Sequence, residues 1–261
     1  MDGIAGAQEL QAKLSDSFFL DDLDLVDRLF PSLTSGVRWG LERTEKALKI
    51  LGDPHRSYRT IHVGGTNGKG SVTSTVAAVL EAAGFRTGCY TSPHLCSFRE
   101  RIRVAGSPLT HDRVVGLAQE LRNVPEICGL SFFELATVLG LYAFECEDVE
   151  VAVIEVGLGG RLDATNVIHP EITAITNVAL DHSDYLGNSL SEIAREKLGI
   201  VKSGVPLITT ESDEGLLEIF REVTKGVGVP CLKVNEPASD RIDVNSDRTR
   251  LTLETNAWGQ I

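Results

Sequence analysis

The stretch IHVGGTNGKGSVTSTVAAVLEAAGF, residues 61–85, limits the possible folds of this chain more than any other. A short apolar run, Thr60 to Val63, enters a turn holding Gly64, Gly65, Gly68 and Gly70. A helix is expected from Ser71 to Ala83, ending at Gly84. This order sets the free N–H groups and the positive end of a helix beside a turn whose backbone can close on an anion. The stretch departs twice from the pattern G-x-x-x-x-G-K-[ST]. Val63 stands at the first glycine position, and Gly70 follows Lys69 where a hydroxyl would be. The added glycine moves the hydroxyl on by one residue, to Ser71. The expected ligand is a nucleoside triphosphate. Gly65, Thr66, Asn67, Gly68 and Gly70 would form the cradle, and Lys69 would reach the terminal phosphates. Ser71 or Thr66 would bring a hydroxyl near magnesium.

Around this stretch, strands and helices alternate. Helical spacing marks 40–51, 110–124, 131–147, 190–201 and 214–225. Strands are expected at 86–91, 149–156, 171–177, 205–209 and 229–234. The run VEVAVIEV at 149–156 has the composition of a strand buried on both faces. The fold class is therefore α/β, a P-loop-type, mostly parallel sheet flanked by helices. In such sheets ligands bind beyond the carboxyl ends of the strands. The tail, 235–261, reads as a small β-hairpin with strands 241–244 and 249–253 across an Asn245-to-Arg248 turn.

The net charge of -12 gives no cationic face for nucleic acid or an anionic membrane, so neither is an expected partner. A local positive site for a small anion remains open. Five scattered cysteines without a C-x-x-C pair read as reduced, buried thiols of a cytoplasmic protein. The first residues are acidic, with no signal peptide expected, and no run of 18 apolar residues is present.

Glu155 stands near the end of the apolar strand. Burying an unpaired carboxylate costs several kcal/mol, more than the roughly 2–7 kcal/mol of a neutral polar group, and a metal ion would offset that cost. The other reading is an exposed acid at the strand tip. GTNGKGS, TSPHL (91–95), FRERI (98–102), EVGLGGRLDATN (155–166), TNVALDHSDYLG (176–187) and AREKLGI (194–200) follow one another in this order. Together they resemble the folylpolyglutamate synthase and dihydrofolate synthase family, relatives of the Mur ligases, over roughly residues 40–261. The odd form of the glycine turn is that family's form.

The resemblance implies an ATP-dependent amide ligase. A carboxylate takes the γ-phosphoryl group, and the amine of L-glutamate then displaces phosphate from the acyl phosphate. Dihydropteroate, reduced folates or both would be the acceptor. Ser92 and Glu155 match ligands of a first magnesium ion, and His182 a ligand of a second. Lys197 matches a lysine carbamylated by carbon dioxide; read locally, it is a solvated charge on an amphipathic helix. Lys69, His182 and Lys197 are the catalytic candidates. The loop with Gly159, Gly160, Arg161, Asp163 and Asn166 borders the pterin site by resemblance, with Arg161 and Asp163 as candidate contacts. Phe132 and Phe133 would stack on a pterin ring or simply pack in the core. Asn177 is the further nucleotide contact. Arg99 and Arg101 would meet substrate carboxylates or pair with Glu100.

Residues 1–261 would then be an N-terminal Mur ligase-like ATPase domain, with 235–261 approaching an interdomain linker. A C-terminal glutamate ligase domain would be missing, and the chain is expected to be monomeric and inactive alone. A Mur-type or other ligase acting on a non-folate acceptor is the first alternative. A P-loop NTPase switch is the second; no N-K-x-D occurs to read guanine.

Overall fold

The computed structural model describes residues 39–181, 186–234, 239–244, 249–255 and 259–260. Helix α1 is Glu42–Ile50, followed by β1, Arg59–Gly64, α2, Lys69–Ala82, and β2, Thr87–Tyr90. Next come β3, Ile102–Val104, β4, Ser107–Pro108, α3, His111–Arg122, and α4, Phe132–Cys146. Then follow β5, Val151–Glu155, β6, Ile172–Ile175, α5, Leu190–Leu198, β7, Leu207–Thr209, α6, Glu214–Gly226, and β8, Cys231–Lys233. These strands form one eight-stranded sheet in the order β4-β3-β2-β5-β1-β6-β7-β8. All neighbours from β2 to β8 pair in parallel, as the alternating pattern required.

β5 lies between β1 and β2, and all five of its residues are buried. Its side chains alternate between two cores, as a strand's period of two dictates. Ala152 and Ile154 join the cluster built with α1, α3 and α4. Val153 packs instead with Val63, Cys89 and Ala77 of α2. A third cluster joins Ile193 and Leu198 of α5 to Phe220 of α6 and Leu207 of β7. Capping boxes fix the starts of α4, through Ser131 and Glu134, and of α5, through Ser189 and Glu192.

Sequence pattern and structure part at the sheet edge. β3 and β4 are antiparallel and were not foreseen. They are three and two residues long, too short to show a period, and they turn through Ala105 and Gly106 with φ of 48° and 73°. Pro108 is tolerated because β4 is the edge strand. Helix α2 begins at Lys69 rather than Ser71, so the lysine itself belongs to the first turn. In the tail, β9, Ser239–Val244, pairs antiparallel with β10, Thr249–Thr255, and β11, Gly259–Gln260, adds a short third strand. The Asn245-to-Arg248 turn lies outside the described residues.

Candidate functional site

The glycine loop after β1 is clamped by the chain that leaves β6. Thr66 N–H donates to Asn177 O at 2.8 Å, and Thr176 N–H to Gly64 O at 3.0 Å. Thr176 Oγ1 donates to Asn67 O at 2.7 Å. Asn177 Oδ1 accepts Asn67 N–H at 3.0 Å. Thr66 Oγ1 accepts Ala179 N–H at 3.0 Å, so this hydroxyl staples the loop to the chain beyond β6. Thr210 and Glu211 hold that segment from behind, through Thr176 O at 2.6 Å and Val178 N–H at 2.8 Å. The loop backbone is thus tied at several points to the chain that leaves β6. Asn177, expected at the nucleotide, shapes the loop backbone here.

Helix α2 opens from Gly68, at φ 78°, with no side chain capping its first N–H groups. Among the described residues those donors are unmatched, and with the helix dipole they make the arrangement that suits a phosphate. Lys69 Nζ rests on Thr66 O at 3.0 Å. Ser71 is exposed at the helix start.

Glu155 is 4% exposed, so the strand-tip reading fails. Its Oε2 accepts Ser92 N–H at 2.8 Å. Burial pushes its carboxyl up, opposed by that N–H and by Lys69, Arg101 and Arg103. A Cβ at Gly70 would lie 3.4 Å from Glu155 Oε1, so the loop approaches the acid closely because this residue has no side chain. Ser92 precedes a cis bond to Pro93.

Lys197 is 3% exposed, which corrects its reading as a solvated charge. It projects from α5 to Gly65 O at 2.9 Å, so two lysines hold neighbouring carbonyls of one loop. Burial, and next the charge of Lys69, lower its pKa to about 8, with Asp181 opposing. As an ammonium it donates and cannot ligate a metal. A narrow cleft lined by Gly65, Lys69, Gly157, Gly159, Asp181 and Lys197 joins these groups. His182 lies outside the described residues.

The loop after β5 borders this cleft. Asp163 is 4% exposed, and its carboxylate is spent on the loop itself. It accepts Leu158 N–H at 2.8 Å, Thr165 N–H at 3.0 Å and Thr165 Oγ1 at 2.5 Å. Arg161 pairs with Glu196 of α5 at 2.8 Å. A Cβ at Gly160 would meet Glu196 O and Lys197 O at 2.9 Å, so this loop lies directly on the helix that carries Lys197. Asn166 Nδ2 ties Arg161 O to Gly199 O, at 3.0 and 3.1 Å.

Lys202 closes the loop's exit, donating to Asn166 O at 2.7 Å and to Ile168 O. Burial lowers its pKa to about 8, opposed by Glu45. The folded form therefore sheds this proton before the unfolded chain does. Stability from Lys202 should rise as pH climbs from about 8 to the ordinary lysine range, and stay flat below. We expect the stability of wild type relative to Lys202→Met to grow across that window in denaturant titrations. A pH-independent difference would contradict this.

Phe132 and Phe133 are both half-buried at the start of α4. Phe132 packs edge-on against Phe98 at 6.0 Å, with the Arg101 guanidinium 5.3 Å from its ring. The Phe133 ring lies on Gly157, where any Cβ would overlap it, so it flanks the loop after β5. Arg101 is 6% exposed and donates from Nε to His94 Nδ1 at 2.8 Å. Glu100, one of the two partners offered for Arg99 and Arg101, is used on the backbone. Glu100 accepts the N–H groups of Leu95, Cys96 and Ser97 at 2.7–2.9 Å, completing a capping box with Ser97. The sequence signal was present, since S-x-x-E is the capping signature. Cys96 is exposed, against the reading of buried thiols, whereas Cys89 is buried. Among the described residues, no helix is long and apolar enough to cross a membrane.

Comparison with known proteins bears on this geometry. The model of the Mur ligase middle domain matches residues 63–257. The Bacillus subtilis dihydrofolate synthase/folylpolyglutamate synthase is 36% identical over 222 residues, covering 79% of this chain and 51% of the relative. The Lacticaseibacillus casei folylpolyglutamate synthase is 38% identical over 220 residues, covering 82% and 49%. A solved structure described as an FPGS-AMPPCP-folate complex superimposes with a TM-score of 0.84 at 33% identity, covering 91% of this chain and 60% of that one. The chain spans about half the length of these two curated relatives.

Proposed function

Because the chain belongs to the Mur ligase middle-domain family, in its folylpolyglutamate synthase and dihydrofolate synthase branch, we propose that it carries the ATP site of a glutamate ligase. The acceptor is dihydropteroate, a reduced folate or both. The observation that carries this reading is the meeting of four features at one rim of the sheet. They are the clamped glycine loop, the uncapped start of α2, Lys69, and the buried Glu155 beside Gly70.

The chemical problem is to join two anions, a triphosphate and a carboxylate. The N–H groups opening α2 and the Lys69 ammonium face the phosphates and offset their charge as it shifts in transfer. The acceptor carboxylate attacks the γ-phosphorus, ADP departs, and the amine of glutamate then displaces phosphate from the acyl phosphate. Magnesium takes oxygen donors, and Glu155 fits: it is buried, uses Oε2 for one N–H, and has Ser92 next to it. Among the described residues no three His, Cys, Asp or Glu gather on one point, so the ion would share Glu155 and a hydroxyl with the nucleotide's own oxygens. Bound there, it would screen the phosphate charge. Lys197 is proposed to react with carbon dioxide as the neutral amine, forming an N–C bond and releasing a proton. Its burial and its pKa of about 8 support this, leaving roughly a tenth of the chains neutral at pH 7.

The test is thermal stabilisation. Magnesium ATP and a reduced folate or dihydropteroate, each at 100 times its Kd, should each add about 2.7 kcal/mol to the stability. UDP-muramoyl peptides and GTP should add nothing. Stabilisation by GTP alone would overturn the ligase reading in favour of a switch.

A further inference from the structure

The loop after β5 is fastened from beneath by a histidine that its sequence context does not mark. His62 is fully buried in β1, three residues before Gly65. Its Nε2 lies 2.9 Å from Thr165 Oγ1. Thr165 gives its one hydroxyl proton to Asp163 Oδ1 at 2.5 Å. Both Asp163 oxygens accept backbone N–H groups, as a carboxylate does; with Asp163 in that form the hydroxyl proton is committed and His62 donates from Nε2–H. Among the described residues Nδ1 is then left as a buried acceptor without a partner. An apolar side chain at position 62 would avoid that penalty, so stability alone does not call for an imidazole here. Burial lowers the pKa of His62 to about 3, with the charge of Lys202 adding to it, so the ring is neutral and this tautomer is the resting one.

β1 leads straight into the phosphate loop, while Thr165 and Asp163 belong to the loop that rests on the helix of Lys197. The polar chain from His62 through Thr165 to Asp163 therefore joins the strand behind the nucleotide to the loop that flanks the cleft. We propose that His62 is a positioning residue: through Thr165 and Asp163 it holds loop 157–166 in the shape that receives the acceptor. The acceptor role of the loop rests on the ligase reading; the clamp itself does not.

The experiment uses the full-length enzyme with His62→Leu, His62→Gln and Thr165→Val. Glutamine can place an amide N–H near the position of Nε2, whereas leucine cannot. With His62→Leu, amide exchange across 157–166 should quicken by about tenfold while β5 is unchanged, and KM for the folate acceptor should rise by about tenfold with KM for ATP within about twofold, the size expected for one lost buried hydrogen bond. His62→Gln should bring both close to wild type, and Thr165→Val should repeat the leucine result. Wild-type exchange and KM in His62→Leu, or glutamine no better than leucine, would overturn the proposal. Should His62→Leu not fold, His62→Asn, too short to reach Thr165, takes its place. If wild type shows no turnover with any folate acceptor, the ligase reading falls, and loop exchange alone then judges the clamp.

Discussion

On the ligase reading, Lys69→Ala should lower glutamate-dependent ADP formation by about 10²–10³-fold, the usual cost of removing one preorganised group from a charge-stabilising site. The fold should survive, because among the described residues Lys69 makes one hydrogen bond, to Thr66 O, on the rim of the loop. The loop's shape comes instead from Thr176 and Asn177, which the substitution does not touch. Circular dichroism and the melting temperature should therefore stay near wild type while nucleotide affinity drops. Losing the charge of Lys69 also relieves its repulsion of Lys197, whose pKa should then move up. Wild-type kinetics in this variant would remove the loop from the mechanism.

Gly65→Ala should damage the fold and the site together. Gly65 has φ 133°, a region that L residues seldom enter. A Cβ there would overlap Thr176 Oγ1 and stand 3.0 Å from Thr176 N. Thr176 would have to give way, and with it the bonds to Asn67 O and Gly64 O. Strain and crowding of this kind cost about 1–3 kcal/mol, which lowers Tm by roughly 2–4 °C for each kcal/mol in a chain of this size. Gly68→Ala is the control. Its φ is also positive, at 78°, but nothing lies within 4 Å of the added carbon. It should lose only about 1–2 kcal/mol of backbone strain. Calorimetry and ATP titration of both variants check the order; Gly65→Ala equal to or milder than Gly68→Ala would contradict the clamp by Thr176.

Much of this was legible before the structure. The alternation of VEVAVIEV-like runs with amphipathic helices defines a parallel sheet, and its strand ends locate the loops that carry the site. Glu155 could be expected to be buried because the apolar run continues past it to Val156. Lys197 could not. On α5 it follows the exposed Arg195 and the half-buried Glu196, and its burial depends on how closely Gly160 lets the loop lie on the helix. Such contacts join residues 37 apart, beyond the reach of any period. His62 was hidden for a similar reason, since a lone histidine in a strand has no partner in sequence and Thr165 lies 103 residues on. Arg101 and Glu100 sit side by side and suggest a pair, yet Glu100 closes a helix cap while Arg101 turns to His94. Local capping satisfies three backbone donors at once, which an exposed ion pair does not match.

The most direct test of the central claim is a crystal structure of this chain soaked with magnesium and a non-hydrolysable ATP analogue. The phosphates should lie on the start of α2, with Lys69 lifted from Thr66 O to the terminal phosphate and the metal on Glu155. Phosphates bound elsewhere, with Lys69 still on Thr66 O and Glu155 away from any ion, would contradict the assignment of this rim as the place where triphosphate and carboxylate meet.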